Sequence, residues 1–262
     1  MRMKINGLLI CFLLSFVTMG HAADRIRGNG TLTTKEREIT DYNRIRIDGV
    51  YDIIYTQSED TPYLEVTVDE NLQPYVQVEV KDRTLTIGFK GIKVDHYTKF
   101  LIRTNSRWLK ETRIAGNANF MLESPLSGDE LVIKSNANSL IQLKHPVTLG
   151  KLDLNVSGSA NIVVDKLEVE KLECSISGSG SITLKEGKAL QGSYSITSSG
   201  DIHAFGVAVP DLSCRVTGSG TAEVHATDNL KATLMGSGHI RYKGPTAVQQ
   251  KKVGKGTIEE VK

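Results

Sequence analysis

The segment Val156–Ile162 (Val-Ser-Gly-Ser-Ala-Asn-Ile) decides the fold, because related segments recur seven more times between Ile114 and Ile258. With Gly158 as the reference position of the repeat, successive reference positions are 21, 21, 20, 20, 20, 18 and 18 residues apart. A period of about 20 residues is typical of a solenoid. The other reference residues are Gly116, Ala137, Gly178, Ser198, Gly218, Gly236 and Gly254.

Hydrophobic residues recur at fixed offsets from the reference position. Val156 and Ile176 stand two residues before it, and Ile162 and Ile182 stand four residues after it. Side chains of a β-strand alternate between its two faces, so these even offsets point to one side. Polar residues fill most of the odd offsets. The pattern predicts an all-β fold, a single-stranded parallel β-helix whose stacked coils share one hydrophobic interior.

Small residues two positions after the reference are predicted to form the corner of each coil. Glycine is frequent there and tolerates a tight bend or a positive φ at the least cost. Serine or asparagine stands one position after the reference, as at Ser159 and Ser179, and is predicted to hydrogen-bond between coils. The corner glycines are Gly180, Gly200, Gly220 and Gly238.

The N-terminus has the pattern of a secretory signal peptide over residues 1–22. Met1–Lys4 is basic, Leu8–Val17 is apolar, and Gly20–Ala22 supplies small residues at the predicted cleavage site. The alternative is a retained membrane anchor, for which the apolar run is short. The sequence therefore predicts an extracytoplasmic protein located in the periplasm, on the outer membrane surface or outside the cell.

Charge gives no support for nucleic-acid binding. Removal of the signal peptide removes Arg2 and Lys4, so that Lys plus Arg falls from 32 to 30, equal to the 30 Asp plus Glu. No basic cluster stands out along the chain. A neutral chain of this kind lacks the positive field that nucleic-acid binding requires.

Cys174 and Cys214 are predicted to be unpaired, although export would permit a disulfide. Both occupy the same repeat position two coils apart. Stacked coils rise by about 4.8 Å each, which separates the two Cα atoms by about 10 Å, beyond the reach of a disulfide. We interpret both as small buried hydrophobic residues.

Residues 23–106 are β-rich but not cleanly periodic, and they precede the predicted β-helix of residues 107–262. Within them Ile47–Ile53 matches the repeat position for position except for its second glycine. This part either begins the solenoid with distorted coils or forms a separate small sheet that caps it.

A family resemblance follows from these features together. The strand Arg44–Ile53, the strand Leu85–Ile87 and the repeated V/I-S/T-G-S-G-x-I units resemble the putative auto-transporter adhesin "head GIN domain" family over roughly residues 40–260. That family is a domain of unknown function, frequent in secreted Bacteroidetes proteins. The resemblance implies a right-handed parallel β-helix, an extracytoplasmic location and an adhesive role. It carries over no catalytic or binding residue, and the units of Ala137 and Ser198 depart from the motif.

Motifs for catalysis or metal binding do not emerge from the sequence. No Gly-rich run forms a phosphate-binding loop, and the serines lack a nucleophile elbow. The sequence comes near the pattern of calcium-binding β-roll repeats at one position, Asp201. The histidines outside the signal peptide lack metal-ligand spacing, and we predict no metal site, no cofactor and no catalytic residue. These histidines are His96, His145, His203, His225 and His239.

Two local clusters have alternative interpretations. The densest charged segment, Asp165–Lys171, is predicted to be a solvated turn. Trp108, with Arg107 and Tyr97, is a candidate patch for stacking on a sugar or contacting a protein. A buried cap over the end of the solenoid is the favoured interpretation of Trp108, because an open end requires covering.

The most direct functional prediction is an exported, non-catalytic β-solenoid that contacts a protein or a glycan at the cell envelope. Solenoids present extended faces suited to broad contact. Two alternatives remain open, a carbohydrate-active β-helix enzyme and a purely structural envelope component. The ligand-binding residues and the oligomeric state stay unassigned.

Overall fold

The computed structural model describes residues 24–244 and 247–261. The predicted signal peptide, residues 1–22, lies outside the described residues. Within the described ranges, the chain forms 21 β-strands and one short 3₁₀-helix, Glu70–Tyr75.

The first nine strands belong to the N-terminal part of the chain. They are β1 (Asp24–Arg27), β2 (Leu32–Glu38), β3 (Arg44–Ile47), β4 (Asp52–Gln57), β5 (Tyr63–Asp69), β6 (Val76–Lys81), β7 (Thr84–Phe89), β8 (Ile92–His96) and β9 (Phe100–Ser106).

The remaining twelve strands make the periodic part. They are β10 (Glu111–Ile114), β11 (Phe120–Leu122), β12 (Leu126–Ser135), β13 (Leu140–Leu143), β14 (Val147–Val156), β15 (Asn161–Ile176), β16 (Ser181–Ile196), β17 (Asp201–Gly218), β18 (Thr221–Gly236), β19 (His239–Lys243), β20 (Ala247–Val253) and β21 (Thr257–Glu260).

The periodic strands stack in parallel with the register that the repeat predicts. Ile162 pairs with Ile141 on one side and with Ile182 on the other, and Ile182 pairs in turn with Ile202. All four side chains are buried, with 0% exposure. The predicted parallel β-solenoid is therefore confirmed, with about seven turns.

Each coil bends more often than a single corner would require. In β15 the inward side chains fall into three groups, the first containing Ile162, the second Leu167 and the third Leu172. Strict alternation breaks between these groups, at residues 165–166 and 170–171, where two successive residues lie outside the core. Because two neighbouring outward side chains cannot belong to one straight strand, each break marks a bend of the coil.

The corner glycines are required by close approach rather than by a positive φ. A Cβ atom at Gly180 would lie 2.1 Å from the carbonyl oxygen of Ala160 in the preceding coil. Positive φ occurs instead at the reference position of the last three coils, with a value of 126° at Gly218. The bend therefore lies at the predicted corner position, but the residue with a positive φ stands two positions before that corner, at the reference position.

Backbone groups provide most of the hydrogen bonds between corners. The Ser179 N–H donates to the Gly158 carbonyl oxygen at 3.1 Å, whereas the hydroxyl groups of Ser159 and Ser179 are 3.4 Å apart. A shorter side-chain bond follows at the start of the next strand, where the Ser181 hydroxyl donates to Asn161 Oδ1 at 2.9 Å. The predicted ladder of polar side chains is therefore present, but its hydrogen bonds are fewer than those between backbone groups of successive coils.

The N-terminal part continues the stack. Ile47 pairs with Ile114 and Ile53 with Phe120, so the segment Ile47–Ile53 forms the coil next to the first periodic one. Beyond it, β7 and β9 lie parallel to β3 and β4, and then β6, β5 and β2 add in antiparallel orientation. These strands belong to the same 19-stranded sheet as the solenoid, while β1 and β8 form a separate parallel pair. The domain boundary at residues 106 and 107 stays a prediction.

The core contains both cysteines as free, buried thiols. Cys174 and Cys214 occupy one column with Tyr194 between them, as the strand pairing shows. Burial raises the pKa of the Cys214 thiol to about 12, which keeps it protonated and unreactive. The prediction that the two cysteines do not pair is confirmed.

Candidate functional site

The structure separates Tyr97 from the other two residues of the predicted aromatic patch, Arg107 and Trp108. Tyr97 lies against Phe89 and Phe100, with ring centroids 6.4 and 5.9 Å away. Trp108 is 42% exposed and lies near Gly128 in another part of the molecule. The interpretation of Trp108 as a buried cap is therefore wrong.

Arg107, the third member of that patch, is held by a neighbouring acidic side chain. Its guanidinium forms an ion pair with Glu59 at 2.7 Å. Both side chains are exposed, at 55% and 71%, so this pair contributes little to stability. Arg107 therefore gives no sign of a prepared binding position.

The charged segment Asp165–Lys171 lies within β15 and is not a turn. Its side chains pair with residues of the next coil, Lys166 with Glu186 at 3.0 Å and Glu168 with Lys188 at 2.8 Å. Opposite charges on neighbouring strands stabilise a sheet by up to about 1 kcal/mol per pair. The segment is a solvated face stabilised by ion pairs between coils.

A depression of about 700 Å³ lies near the N-terminal end of the solenoid, between the end of β7, the corner segment 49–51 and β8. Its walls are mainly aromatic and aliphatic, and we name it the apolar pocket. Phe100 contacts Tyr51 and Phe89, in both cases with ring centroids 4.9 Å apart. Ile92 and Val94 of β8 form the opposite wall. Pockets of this size and lining are typical of sites for small apolar ligands.

Two tyrosine hydroxyl groups fix the walls of this pocket. Tyr51 donates a hydrogen bond to the Ile87 carbonyl oxygen at 2.8 Å, and Tyr97 donates to the Val50 carbonyl oxygen. Burial raises the pKa of both tyrosines above the ordinary value, with nearby Asp48 and Asp52 adding to the effect. Both hydroxyl groups therefore remain neutral donors.

A buried carboxylate anchors the segments that flank β1 and β8. Asp69, with 0% exposure, accepts hydrogen bonds from the backbone N–H groups of Gly30 and Thr98, both at 2.7 Å, and from the Thr98 hydroxyl at 2.9 Å. Burial alone would raise the pKa of Asp69, but these hydrogen bonds outweigh it and lower the pKa. The outer wall of the apolar pocket thus depends on an ionised Asp69.

The rim of the apolar pocket carries one cation without a fixed counter-charge. Asp95 pairs with Arg25 at 3.4 Å, and Asp48 pairs with Arg46 at 2.6 Å. Lys93 is among the residues that line the pocket, and no ion pair of Lys93 is found within the described ranges. Because Lys93 alternates along β8 with Ile92 and Val94, its side chain lies on the exposed side of that strand, beside the apolar walls.

His203 and His239 lie on strands of the solenoid, whereas His96 ends β8, outside the main sheet. His203 Nδ1 lies 2.8 Å from Glu223 Oε2, and His239 Nδ1 lies 2.8 Å from the Thr257 hydroxyl. In the part of the chain that the structure describes, no three His, Cys, Asp or Glu side chains form a group that could hold a metal ion. Over the same residues, no helix has the length and hydrophobicity that crossing a bilayer demands.

Sequence reasoning missed the apolar pocket because its walls come from separate strands. Tyr51 follows a corner, Phe89 ends β7 and Phe100 begins β9, and each alone is an ordinary core aromatic residue. The one local signal in the sequence is the pair Val50 and Tyr51, two successive apolar residues that cannot both face the core of one strand; in the structure Val50 is 57% exposed.

The stacked parallel coils and the pocket near their end define the class of the protein, a β-solenoid with a surface suited to binding. The chain belongs to the family described as "putative auto-transporter adhesin, head GIN domain", whose model matches residues 41–245. No significant match to a curated protein is found.

Three solved structures are similar over nearly the whole chain. A "putative adhesin" from Parabacteroides distasonis is 67% identical, with a TM-score of 0.90, and covers 91% of this chain and 100% of its own. A "putative adhesin" from Parabacteroides merdae is 63% identical, with a TM-score of 0.90, covering 92% and 100%. A "putative lipid binding protein" from Parabacteroides distasonis is 36% identical, with a TM-score of 0.86, covering 91% and 100%.

Proposed function

We propose that this protein is an exported, non-catalytic binding protein of the cell envelope or cell surface, and that its apolar pocket receives the acyl chain of a lipid. The observation that carries this proposal is the pocket itself, a depression of about 700 Å³ with aromatic and aliphatic walls. Export is supported by the signal-peptide pattern of residues 1–22 and by the adhesin family.

The energetics favour an acyl chain that carries an anionic head. Burial of about ten methylene groups contributes roughly 8 kcal/mol, which is comparable with the free-energy cost of association. Apolar burial alone therefore gives weak binding. Lys93, on the exposed side of β8 beside the pocket, is the cation that we propose to reach the head, because an ammonium group suits a carboxylate or phosphate.

The relatives agree with a binding role in two ways. Two of them are described as a "putative adhesin", and a third, 36% identical, is described as a "putative lipid binding protein". Lipid capture and adhesion are compatible, since a protein that holds an envelope lipid is thereby held at a membrane surface. We extend both roles to this chain as parts of the proposal.

The non-catalytic part of the proposal is supported by the arrangement of the charged side chains. Glu186 and Glu168 are paired with lysines of neighbouring coils at 3.0 and 2.8 Å. A glycoside-cleaving site would instead require two carboxylates directed towards one sugar. Turnover of any member of a glycan panel by the purified protein would favour the enzyme alternative.

The test uses a fluorescent 16-carbon fatty acid bound to the purified mature chain and displaced by palmitate. We expect saturable binding, and we expect Val50→Asp to weaken it at least about tenfold, equivalent to about 1.4 kcal/mol. Val50 is 57% exposed at the pocket rim, so the substitution adds a charge there without disturbing the core.

The matched control is Leu190→Asp, because Leu190 is 62% exposed and does not line the apolar pocket. We expect this variant to bind the fatty acid with the affinity of the wild type. Absence of palmitate-displaceable binding to the wild type, or equal weakening by the two substitutions, would refute the proposed ligand.

A further inference from the structure

Three cations stand next to one another on one face of the first coils. Arg46 pairs in register with Arg113, and Arg113 pairs in register with Lys134. We name these three residues the cation column. Because neighbouring strands lie about 4.8 Å apart, the column extends over about 10 Å. The sequence shows no basic cluster here, since Arg46 and Arg113 lie far apart along the chain.

This arrangement differs from the charged faces of the later coils. There, successive coils present opposite charges, as where Glu223 lies 2.6 Å from Arg241 of the next coil. Opposite charges on adjacent strands stabilise a sheet, and like charges placed directly opposite destabilise it. The cation column therefore carries an electrostatic cost that the other faces avoid.

A second stack of like charges is neutralised by its neighbours. Lys151 pairs in register with Lys171, and Glu173 accepts from Lys171 at 2.6 Å and from Lys151 at 3.0 Å. Hydrogen bonds from Lys171 and then Lys151 lower the pKa of Glu173, so it remains ionised. Asp153 lies 3.9 Å from Lys151 and provides the second carboxylate. This stack is thus balanced.

The cation column is only partly balanced. Glu111 pairs with Arg113 at 2.6 Å and lies 3.6 Å from Lys134, but it also lies 3.9 Å from a fourth cation, Arg44. The second carboxylate is that of Asp48, which pairs with Arg46 at 2.6 Å. Four positive charges thus share two carboxylates, which leaves a local net charge of +2 on a mature chain whose formal net charge is zero.

The column borders a shallow depression of about 460 Å³. Asn136 and Ser157 line this depression together with the three cations of the column. The side chains of Asn136 and Ser157 can exchange hydrogen bonds with hydroxyl groups. No aromatic residue lines this depression, whereas sequence-tolerant nucleic-acid binding depends on aromatic stacking. The chemistry fits a ligand that displays carboxylate or sulfate groups among many hydroxyl groups.

We propose that the cation column binds an acidic polysaccharide. The guanidinium groups of Arg46 and Arg113 match the planar geometry of a carboxylate and also suit a sulfate. Their exposure, 60% and 59%, leaves both accessible from solvent. This inference rests on the proposed binding role and names a partner for its adhesive part. It does not depend on the apolar pocket.

The experiment measures binding of the purified mature chain to immobilised polygalacturonate, dextran sulfate and neutral dextran. The first two polymers distinguish carboxylate from sulfate recognition. We expect salt-sensitive binding to at least one of them and none to neutral dextran. The double variant R113Q/K134Q should bind at least tenfold more weakly, and E111Q, which removes a competing carboxylate, should bind more tightly.

The control K166Q/K188Q removes the same charge from exposed lysines of a balanced face, so it should bind like the wild type. R113Q/K134Q should retain palmitate binding, which separates this inference from the proposed lipid site. Equal loss in both double variants, binding to neutral dextran, or binding only to phosphatidylglycerol vesicles would overturn the proposal.

Discussion

At the residue scale, Tyr194 is an unusual member of the core. Its hydroxyl is buried, and no protein group among the described residues forms a hydrogen bond with it. An unsatisfied buried polar group costs about 1–3 kcal/mol. We therefore expect Tyr194→Phe to raise the free energy of unfolding, measured by urea denaturation, by about 1 kcal/mol or more.

The matched control for that substitution is Tyr42→Phe. Tyr42 is equally buried, but its hydroxyl lies 2.9 Å from the Thr104 hydroxyl and forms a hydrogen bond with it. Its removal should lower the free energy of unfolding by about 0.5–1.5 kcal/mol. If both variants are destabilised alike, the Tyr194 hydroxyl is hydrogen-bonded in solution and our interpretation of this core position is wrong.

Residues also mark the limit of what the sequence predicts. Ile162 and Ile182 could be aligned from the sequence because a fixed period places them in one column. Such columns of buried residues, repeated from coil to coil, define the solenoid. Arg46 and Arg113 stand at the same offset in their repeat units, but the sequence left open whether the coil of Ile47–Ile53 stacks on the first periodic coil or belongs to a separate sheet, so their contact was not predicted. The architecture is therefore readable from local repetition, whereas both candidate sites depend on how the N-terminal strands return to the stack.

At the element scale, the paired strands β1 and β8 are joined to the main sheet through Asp69. Because its pKa is lowered in the folded state, Asp69 stabilises that state above its unfolded pKa of about 3.9, and the contribution is lost as the pH falls through the folded pKa. Asp69→Asn should therefore lower the free energy of local opening by about 1.5–3 kcal/mol at pH 7, the range for hydrogen bonds to a charged group.

Hydrogen exchange of residues 24–30 and 92–98 measures this opening. The difference between wild type and Asp69→Asn should persist from neutral pH down to about pH 4 and shrink below it. Asp60→Asn is the control, because Asp60 is exposed and bonds only locally, to the Ser58 hydroxyl at 2.6 Å. A difference that remains unchanged in strong acid would show that Asp69 acts by shape and not by charge.

At the scale of the whole molecule, the two ends of the solenoid are finished differently. The N-terminal end is covered by the antiparallel strands β6, β5 and β2. At the other end, β20 and β21 pair on one side only among the described residues. An uncovered strand edge is a template for association with another chain, and proteins protect such edges with charged side chains, especially lysine.

Lys252 is the residue that we expect to protect this end. It occupies the column that points into the core in the preceding coils, directly after the buried Leu234. A charge at that position prevents another hydrophobic coil from stacking on the last one. Lys252→Leu should therefore raise the self-association constant by at least about tenfold, or about 1.4 kcal/mol, as measured by analytical ultracentrifugation.

Lys188→Leu makes the same chemical change on a lateral face, where Lys188 is 65% exposed, and should leave association unchanged. If the two variants associate to the same extent, surface hydrophobicity and not the open end controls association, and Lys252 has no special role in limiting the stack.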